Sequence, residues 1–463
     1  MNRTMKLLSL ILIVFCLAAP PQPVRAEVTD DEVKSILQDR IERAKKSVGI
    51  VVGLIDDKGA RVITFGKPSV DGKQPLDGNS VFEIGSVTKV FTATLLADMV
   101  ERGEVSLNDP ISKYLPKTVK TPTRDGKEIT LLDLATQTSG LPRLPGNFAP
   151  KDPRNPYADY SVDQLYAFLS GYTLTRGIGE KYEYSNLGVG LLGHILALRA
   201  GMDYETLVRR RISQPLRMED TRISLTPEMQ TRLVTGHNPA LKPVANWDLP
   251  TLAGAGALRS TVNDMLKFVA ANIGLTKSPL LAAMQRAHQS QRETGQPDLT
   301  IGLNWHILKK FDSEIVWHNG ATGGYHSFIG FDKKNHKGVV VLSNSANDID
   351  DIGRHLLVSQ YPLAKLEPPK EHKAIQLDPK IFDAYAGEYQ LAPGFSLVFT
   401  REGDKFFIQP TGQSKTEILA ESETDFFLAV ADAQVTFVKD DKGEVTQAIL
   451  HQAGRNQTAR KIK

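Results

Sequence analysis

Apolar residues recur along this chain at two spacings, and the switches between them mark its elements. Residues 28–46 place Val33, Ile36, Leu37, Ile41 and Ala44 at helical intervals, which predicts an amphipathic helix. Residues 48–55 are then apolar and β-branched, Asp56-Asp57-Lys58-Gly59 reads as a turn, and residues 62–65 return, which predicts a hairpin. A buried sheet beside an N-terminal helix makes a core layer. Residues 82–102 read as a helix with Val90, Phe91, Leu95, Leu96, Met99 and Val100 apolar and Gly103 placed to end it. Residues 116–160 are rich in Pro, Gly, Asp and Asn and predict loops, with one short helix near 131–136.

Residues 162–170 and 186–212 predict helices, and Ser260-Thr261-Val262-Asn263-Asp264 predicts a helix start with a hydroxyl three residues before an acid. Residues 315–317, 328–331 and 338–342 read as strands, with Gly320, Gly323 and Gly324 between the first two. Pro362, Pro368, Pro369 and Pro379 punctuate a charged stretch that cannot form a long element. Beyond it lie short strands at 395–399, 406–408, 426–430, 435–437 and 448–450, with Gly403 and Gly443 in turns. The expected organisation is a large domain over 27–365, a linker over 366–379 and a β-rich domain over 380–463, a curved sheet or half-open barrel.

The N-terminus changes the reading of composition. Arg3 and Lys6 precede an apolar run from 7 to 19, prolines break it, and Val24-Arg25-Ala26 offers small residues where a signal peptidase reads. The run is too short to span a bilayer, so residues 1–26 are expected to be a cleaved secretory signal and the protein to be exported, periplasmic or secreted. Cys16 is the only cysteine and lies within the signal, behind the bulky Phe15, which disfavours a lipidated anchor. The expected mature chain therefore has no disulfide, thiol nucleophile or cysteine–metal site. Without Arg3, Lys6 and Arg25 the 56 basic residues become 53, against 53 acidic ones, so the formal charge falls from +3 to 0. No basic patch points to nucleic acid, and no basic amphipathic helix to a membrane surface.

Three short motifs carry chemistry. In Gly85-Ser86-Val87-Thr88-Lys89, Gly85 permits a sharp entry, and a helix starting at Ser86 puts Ser86 and Lys89 one turn apart on one face. Ser86 is then a candidate nucleophile near the positive end of the helix, and its own N–H a candidate oxyanion donor. Lys89 works as a base only if burial or a neighbouring cation lowers its pKa from ~10.4. The same residues also fit a serine cap followed by an exposed lysine. In Tyr184-Ser185-Asn186, Tyr184 can pass a proton between Ser86 and a leaving group. Asn186 can accept from Lys89 and donate to a substrate carbonyl. In His318-Asn319-Gly320-Ala321, Gly320 lets a substrate backbone pair along a strand edge, and Ala321 N–H is a second oxyanion donor. His318, when protonated, is a candidate carboxylate ligand.

Taken together, in this order and at these separations, the motifs resemble the class C β-lactamase and DD-peptidase superfamily. Phe82-Glu83-Ile84-Gly85, residues 103–110, Thr138-Ser139-Gly140-Leu141-Pro142 and Gly254-Ala255-Gly256-Ala257-Leu258 extend the resemblance over about residues 30–360. It implies a mixed α/β (α+β) fold: an antiparallel sheet flanked by helices, a helical subdomain, and then the small all-β domain. It implies Ser86 as nucleophile, Lys89 and Tyr184 as the general-base pair, and an oxyanion hole from the Ser86 and Ala321 amides. Asn186, His318, Asn319 and Gly320 are the implied substrate-binding residues. The resemblance also implies an acyl-enzyme intermediate, with no metal and no cofactor. Tyr385-Ala386-Gly387-Glu388-Tyr389 resembles the start of the lipocalin-like domain often appended to this superfamily, expected either to restrict the site entrance or to stabilise the chain.

Two positions depart from the class C pattern. His318 stands where class C β-lactamases have lysine, and Gln137 where the family commonly has histidine. A largely neutral histidine weakens carboxylate recognition and with it efficient β-lactam hydrolysis. The histidine form is similar to DD-carboxypeptidases, D-amino-acid peptidases and some esterases. The expected function is an exported acyl-serine peptidase or amidase for D-amino-acid peptides of cell-wall type, with slow β-lactam turnover. A carboxylesterase, a true β-lactamase and a silent peptidoglycan- or penicillin-binding module are the alternatives. The expected partner is a peptide or small-molecule substrate, with no nucleic acid and no membrane anchor after signal cleavage. No G-x-S-x-G elbow, H-E-x-x-H or phosphate-binding G-x-x-x-x-G-K occurs.

Overall fold

The computed structural model describes residues 28–463 except 73–74, 367–371, 393–394, 412, 414, 430–432 and 453–454. The expected signal and part of the expected linker lie outside the described residues. Among those described, no helix is long and apolar enough to cross a membrane.

The larger part of the chain is built on an eight-stranded antiparallel sheet. The N-terminal hairpin, Gly49–Asp56 with Gly59–Gly66, forms one edge. Next to it come Lys337–Ser343, His326–Asp332 and Ser313–Ala321, then three shorter strands. Both faces are covered, which is why these strands read as unbroken apolar runs rather than as an alternation. Val51, Ile329, Val340 and Leu342 point into the main core. Val52, Phe328, Val339 and Val341 point into a second core on the opposite face. The second core is closed by Val33 and Leu37 of the helix Asp30–Gln38 and by Leu356 and Leu357 of the helix Asp350–Leu357. The predicted N-terminal helix is present, capped by Thr29 and Glu32 in a reciprocal box. The helix Asp350–Leu357 was not predicted, because only about two turns carry its pattern.

The first core face is covered by the helices Val262–Ile273 and Thr88–Glu101. Behind them the helix Asn186–Ala200 anchors a helical subdomain. A Cβ on Gly193 would lie 2.8 Å from the Gly254 Cα, so only glycine lets the short helix Ala253–Gly256 come this close. That approach presents the Ala255 carbonyl to Lys89.

The C-terminal part is the expected small all-β domain, closed further than the predicted curved sheet or half-open barrel. Eight strands from Gly387–Ala392 to Arg455–Lys461 form a closed barrel, and the first pairs with the last through Tyr389 and Gln390. Closure removes both sheet edges. The interior is filled: the Phe437 ring lies 4.5–6.1 Å from the rings of Tyr385, Tyr389, Phe399, Phe406 and Phe426. This barrel is a packed core rather than a ligand-carrying cup.

Candidate active site

The segment around Ser86 is not one helix, as the periodicity suggested. Phe82–Glu83 is a short strand paired with Arg259–Ser260, Gly85–Val87 is a 3-10 turn, and the α-helix runs Thr88–Glu101. Gly85 has φ +48°, and a Cβ there would lie 2.9 Å from both the Ala321 nitrogen and oxygen. A Cβ on Gly320 would lie 2.1 Å from the Ile84 carbonyl oxygen and 2.9 Å from the Ser86 nitrogen. Two glycines thus press the nucleophile turn against the strand Ser313–Ala321. The Ser86 and Ala321 amides, the two predicted oxyanion donors, become neighbours there. Ser327 Oγ ties the junction by donating to Ile84 O at 2.8 Å.

Lys89 is fully buried. Its Nζ lies 3.0 Å from Ser86 Oγ, 2.9 Å from Asn186 Oδ1 and 2.6 Å from Ala255 O. Burial, helped by the charge of Arg143, pushes its pKa well below that of an ordinary lysine. A neutral amine has two N–H groups and one lone pair. The two carbonyl oxygens can only accept, so they take both N–H groups and leave the lone pair to Ser86 Oγ–H. Tyr184 completes the arrangement, its hydroxyl donating to Ser86 Oγ at 2.7 Å. Burial raises the Tyr184 phenol well above its ordinary value, against the lowering effects of the Ser86 hydrogen bond and Arg143, so it stays protonated.

Asn186 accepts from Lys89 as predicted, while its Nδ2 faces the Tyr157 hydroxyl at 3.3 Å. Tyr157 and Trp247, with ring centroids 5.6 Å apart, form an aromatic wall beside it.

The strand Ser313–Ala321 is paired along one edge from Ile315 to Ala321. Along the other edge, His306–Lys310 covers only Ser313 to Trp317. Among the described residues no strand pairs with residues 318–321 along that edge, next to Ser86, and an extended substrate can pair there.

One placement on this strand differs from expectation. Asn319 does not face the site: its Nδ2 donates to Asp350 Oδ2 at 2.6 Å, behind the strand, because alternate strand residues face opposite sides. His318 does face the site. It is buried, and burial, the neighbouring His306 and Lys89 together hold its pKa well below the ordinary imidazole value. Its Nδ1 donates to Asn319 O at 2.5 Å, which leaves Nε2 as an acceptor.

Sequence reading gave no role to several contributors. Gln137, where the family commonly has histidine, accepts from Ser185 N–H at 2.8 Å and donates to Asn304 at 3.0 Å, which steadies the backbone that carries Tyr184. Arg143 holds its guanidinium 5.1 Å from the Tyr184 ring centre. Ala255 contributes only a backbone carbonyl, for which no sequence signal exists. His326, Asp348 and Asp350 bring ligand-type atoms within 4.8 Å of one another, but His326 already donates to Asp350 at 3.1 Å.

A β-lactamase family model matches residues 35–359, and a model named domain of unknown function (DUF3471) matches residues 371–461. The chain is 30% identical over 350 residues to a D-alanyl-D-alanine-carboxypeptidase/endopeptidase, AmpH, of Escherichia coli K12, covering 70% of this chain and 86% of that protein. It is 27% identical over 427 residues to penicillin-binding protein 4* of Bacillus subtilis, covering 86% and 92%. A crystal structure of a β-lactamase/D-alanine carboxypeptidase from Yersinia pestis, complexed with citrate, superposes with TM-score 0.63 at 26% identity over 72% of this chain and 98% of that one. With the matched model spanning the whole serine–lysine–tyrosine constellation, this chain belongs to the β-lactamase family of serine hydrolases.

Proposed function

We propose that this protein is an exported acyl-serine peptidase or amidase acting on D-amino-acid peptides of cell-wall type, with slow turnover of β-lactams. The observation that carries the reading is the buried Lys89 Nζ 3.0 Å from Ser86 Oγ, with Tyr184 donating to the same oxygen at 2.7 Å. In the proposed sequence Lys89 takes the Ser86 proton as Oγ attacks the acyl carbon. The Ser86 and Ala321 amides receive the oxyanion. Tyr184, protonated and in contact with Oγ, delivers a proton to the leaving nitrogen and is recharged from Lys89. Water then cleaves the acyl-serine with the same groups acting in reverse. The free edge at residues 318–321 supports an extended peptide as the acyl donor. Export rests on the N-terminal segment and suits a substrate found outside the cytoplasm.

One observation favours a second reading. His318 is buried, which disfavours its charged form, and its Nδ1 is engaged by Asn319 O, a setting that suits an ester without a free carboxylate better than a peptide with one.

The test is intact-mass analysis of the mature protein after a fluorescent penicillin, beside Ser86→Ala, followed over time. A lasting adduct confined to wild type is the expected result. An adduct that forms and vanishes with ring-opened product would favour a β-lactamase. No adduct, with short p-nitrophenyl esters still hydrolysed, would favour the esterase.

A further inference from the structure

The expected site for a substrate carboxylate is His318, and that imidazole is buried, where desolvation opposes its charged form. Lys89 is buried as well, and its contacts are taken by Ser86, Asn186 and Ala255. Among the described residues a further cation stands beside the site, Arg143, against the Tyr184 ring. Its main chain is fixed: Leu187 N–H donates to Arg143 O at 3.2 Å, and Ser185 Oγ donates to the preceding Pro142 O at 2.6 Å. Its guanidinium lies 5.1 Å from the centre of the Tyr184 ring, and the Tyr184 hydroxyl is 2.7 Å from Ser86 Oγ. The side chain is exposed, and among the described residues it makes no ion pair and no side-chain hydrogen bond. Arg176, close by in the same region, is by contrast paired with Glu183 at 3.2 Å.

An arginine stacked on an aromatic face has its plane set in advance and keeps its donor fork free, the geometry that holds a carboxylate through two parallel hydrogen bonds. We propose that Arg143 recognises the carboxylate of an anionic substrate, its guanidinium laid over Tyr184 beside Ser86 with no acidic partner of its own. The inference rests on the acyl-serine reading above and gives that site a substrate class: acyl donors with a carboxylate within reach of Tyr184, in either the acyl part or the leaving group. It also explains how a family member can keep an anionic substrate with a neutral imidazole in place of the strand lysine.

The experiment compares wild type, Arg143→Ala and Arg143→Lys, in the full-length mature protein, on two matched pairs of esters. One pair carries a free carboxylate or a primary amide on the leaving group. The other carries a carboxylate or a methyl group at the end of the acyl chain. Ser86 acylation is read by intact mass and turnover by kcat/KM, with thermal melting as the folding control. Wild type is expected to prefer the anionic member of at least one pair. Arg143→Ala should reduce kcat/KM for that member by ten- to a hundredfold more than for its neutral partner, chiefly through KM, so that the preference is lost on top of any common loss from removing the charge beside Lys89 and Tyr184. Arg143→Lys should keep part of the preference. Equal losses on charged and neutral members would overturn the proposal and make Arg143 a support for Tyr184. Wild type without any preference for the anionic members would overturn it as well, and would favour the esterase. If no member of either pair acylates Ser86, the acyl-serine reading itself falls.

Discussion

Replacing Gly320 with alanine probes the joint that assembles the site. The added Cβ would lie 2.1 Å from the Ile84 carbonyl oxygen, 2.6 Å from Ser327 Oγ and 2.9 Å from the Ser86 nitrogen. Cβ atoms essentially never come closer than 3.0 Å to another heavy atom, so the strand and the nucleophile turn must part by about 0.9 Å. Ser327 Oγ can rotate away, at the loss of its bond to Ile84 O, but the Ile84 carbonyl and the Ser86 amide are backbone and cannot. Overpacking of this kind costs about 1–3 kcal/mol of stability. Catalysis should suffer more, because a displacement of about 1 Å at the reacting groups costs on the order of 10²-fold in rate. The same shift moves the Ser86 amide relative to that of Ala321 and so opens the oxyanion hole. The assay is kcat/KM for a p-nitrophenyl ester together with the thermal midpoint, measured beside Gly171→Ala. A Cβ at Gly171 meets nothing within 4 Å, so that control should be close to neutral. If Gly320→Ala retained activity within threefold and an unchanged midpoint, the strand and the nucleophile turn would not be locked together, and the reasoning would fail.

Other outcomes follow from the same geometry. Because Lys89 acts deprotonated and its pKa is depressed by burial, kcat/KM should fall as pH drops through that depressed value; the acid limb should persist in Tyr184→Phe at roughly 10²–10⁴-fold lower activity, and its disappearance there would assign the limb to Tyr184 instead. Burial alone would depress His326, but the hydrogen bond and charge of Asp350, with the charge of Asp348, raise its pKa above the ordinary value. Asp350→Ala, which strands His326 and Asn319, should cost about 3–5 kcal/mol. That deficit should be greatest below about pH 6.5 and narrow as pH rises through the raised His326 pKa, as read by melting between pH 5 and 9. Phe437→Ala should destabilise the barrel by about 3–5 kcal/mol through the cavity it leaves among five rings. Chemical denaturation would measure that loss, and kcat/KM should stay within twofold.

Ser86, Lys89 and Tyr184 were legible in the sequence as short motifs whose joint resemblance to a family implied their roles, and the structure brings Lys89 and Tyr184 within hydrogen-bonding reach of Ser86. The sheet strands were legible for a related reason: a strand buried on both faces must be apolar throughout. The barrel strands were visible one by one, yet their closure was not, because Tyr389 meets Lys461 across more than seventy residues of chain. Asn319 and His318 show the same limit at the level of side chains. The motif names them together, but the pleat sends Asn319 to Asp350 and His318 to the site. Whether His318 and Lys89 carry charge depends on burial by distant segments, which no local pattern records. Arg143 stood unremarked beside Pro142 until the fold laid it over Tyr184. The sequence by itself determined which groups were available and which elements would form. Only the tertiary structure decided their protonation, their facing and their partners, because desolvation and hydrogen bonding are set by whatever the rest of the chain packs against them.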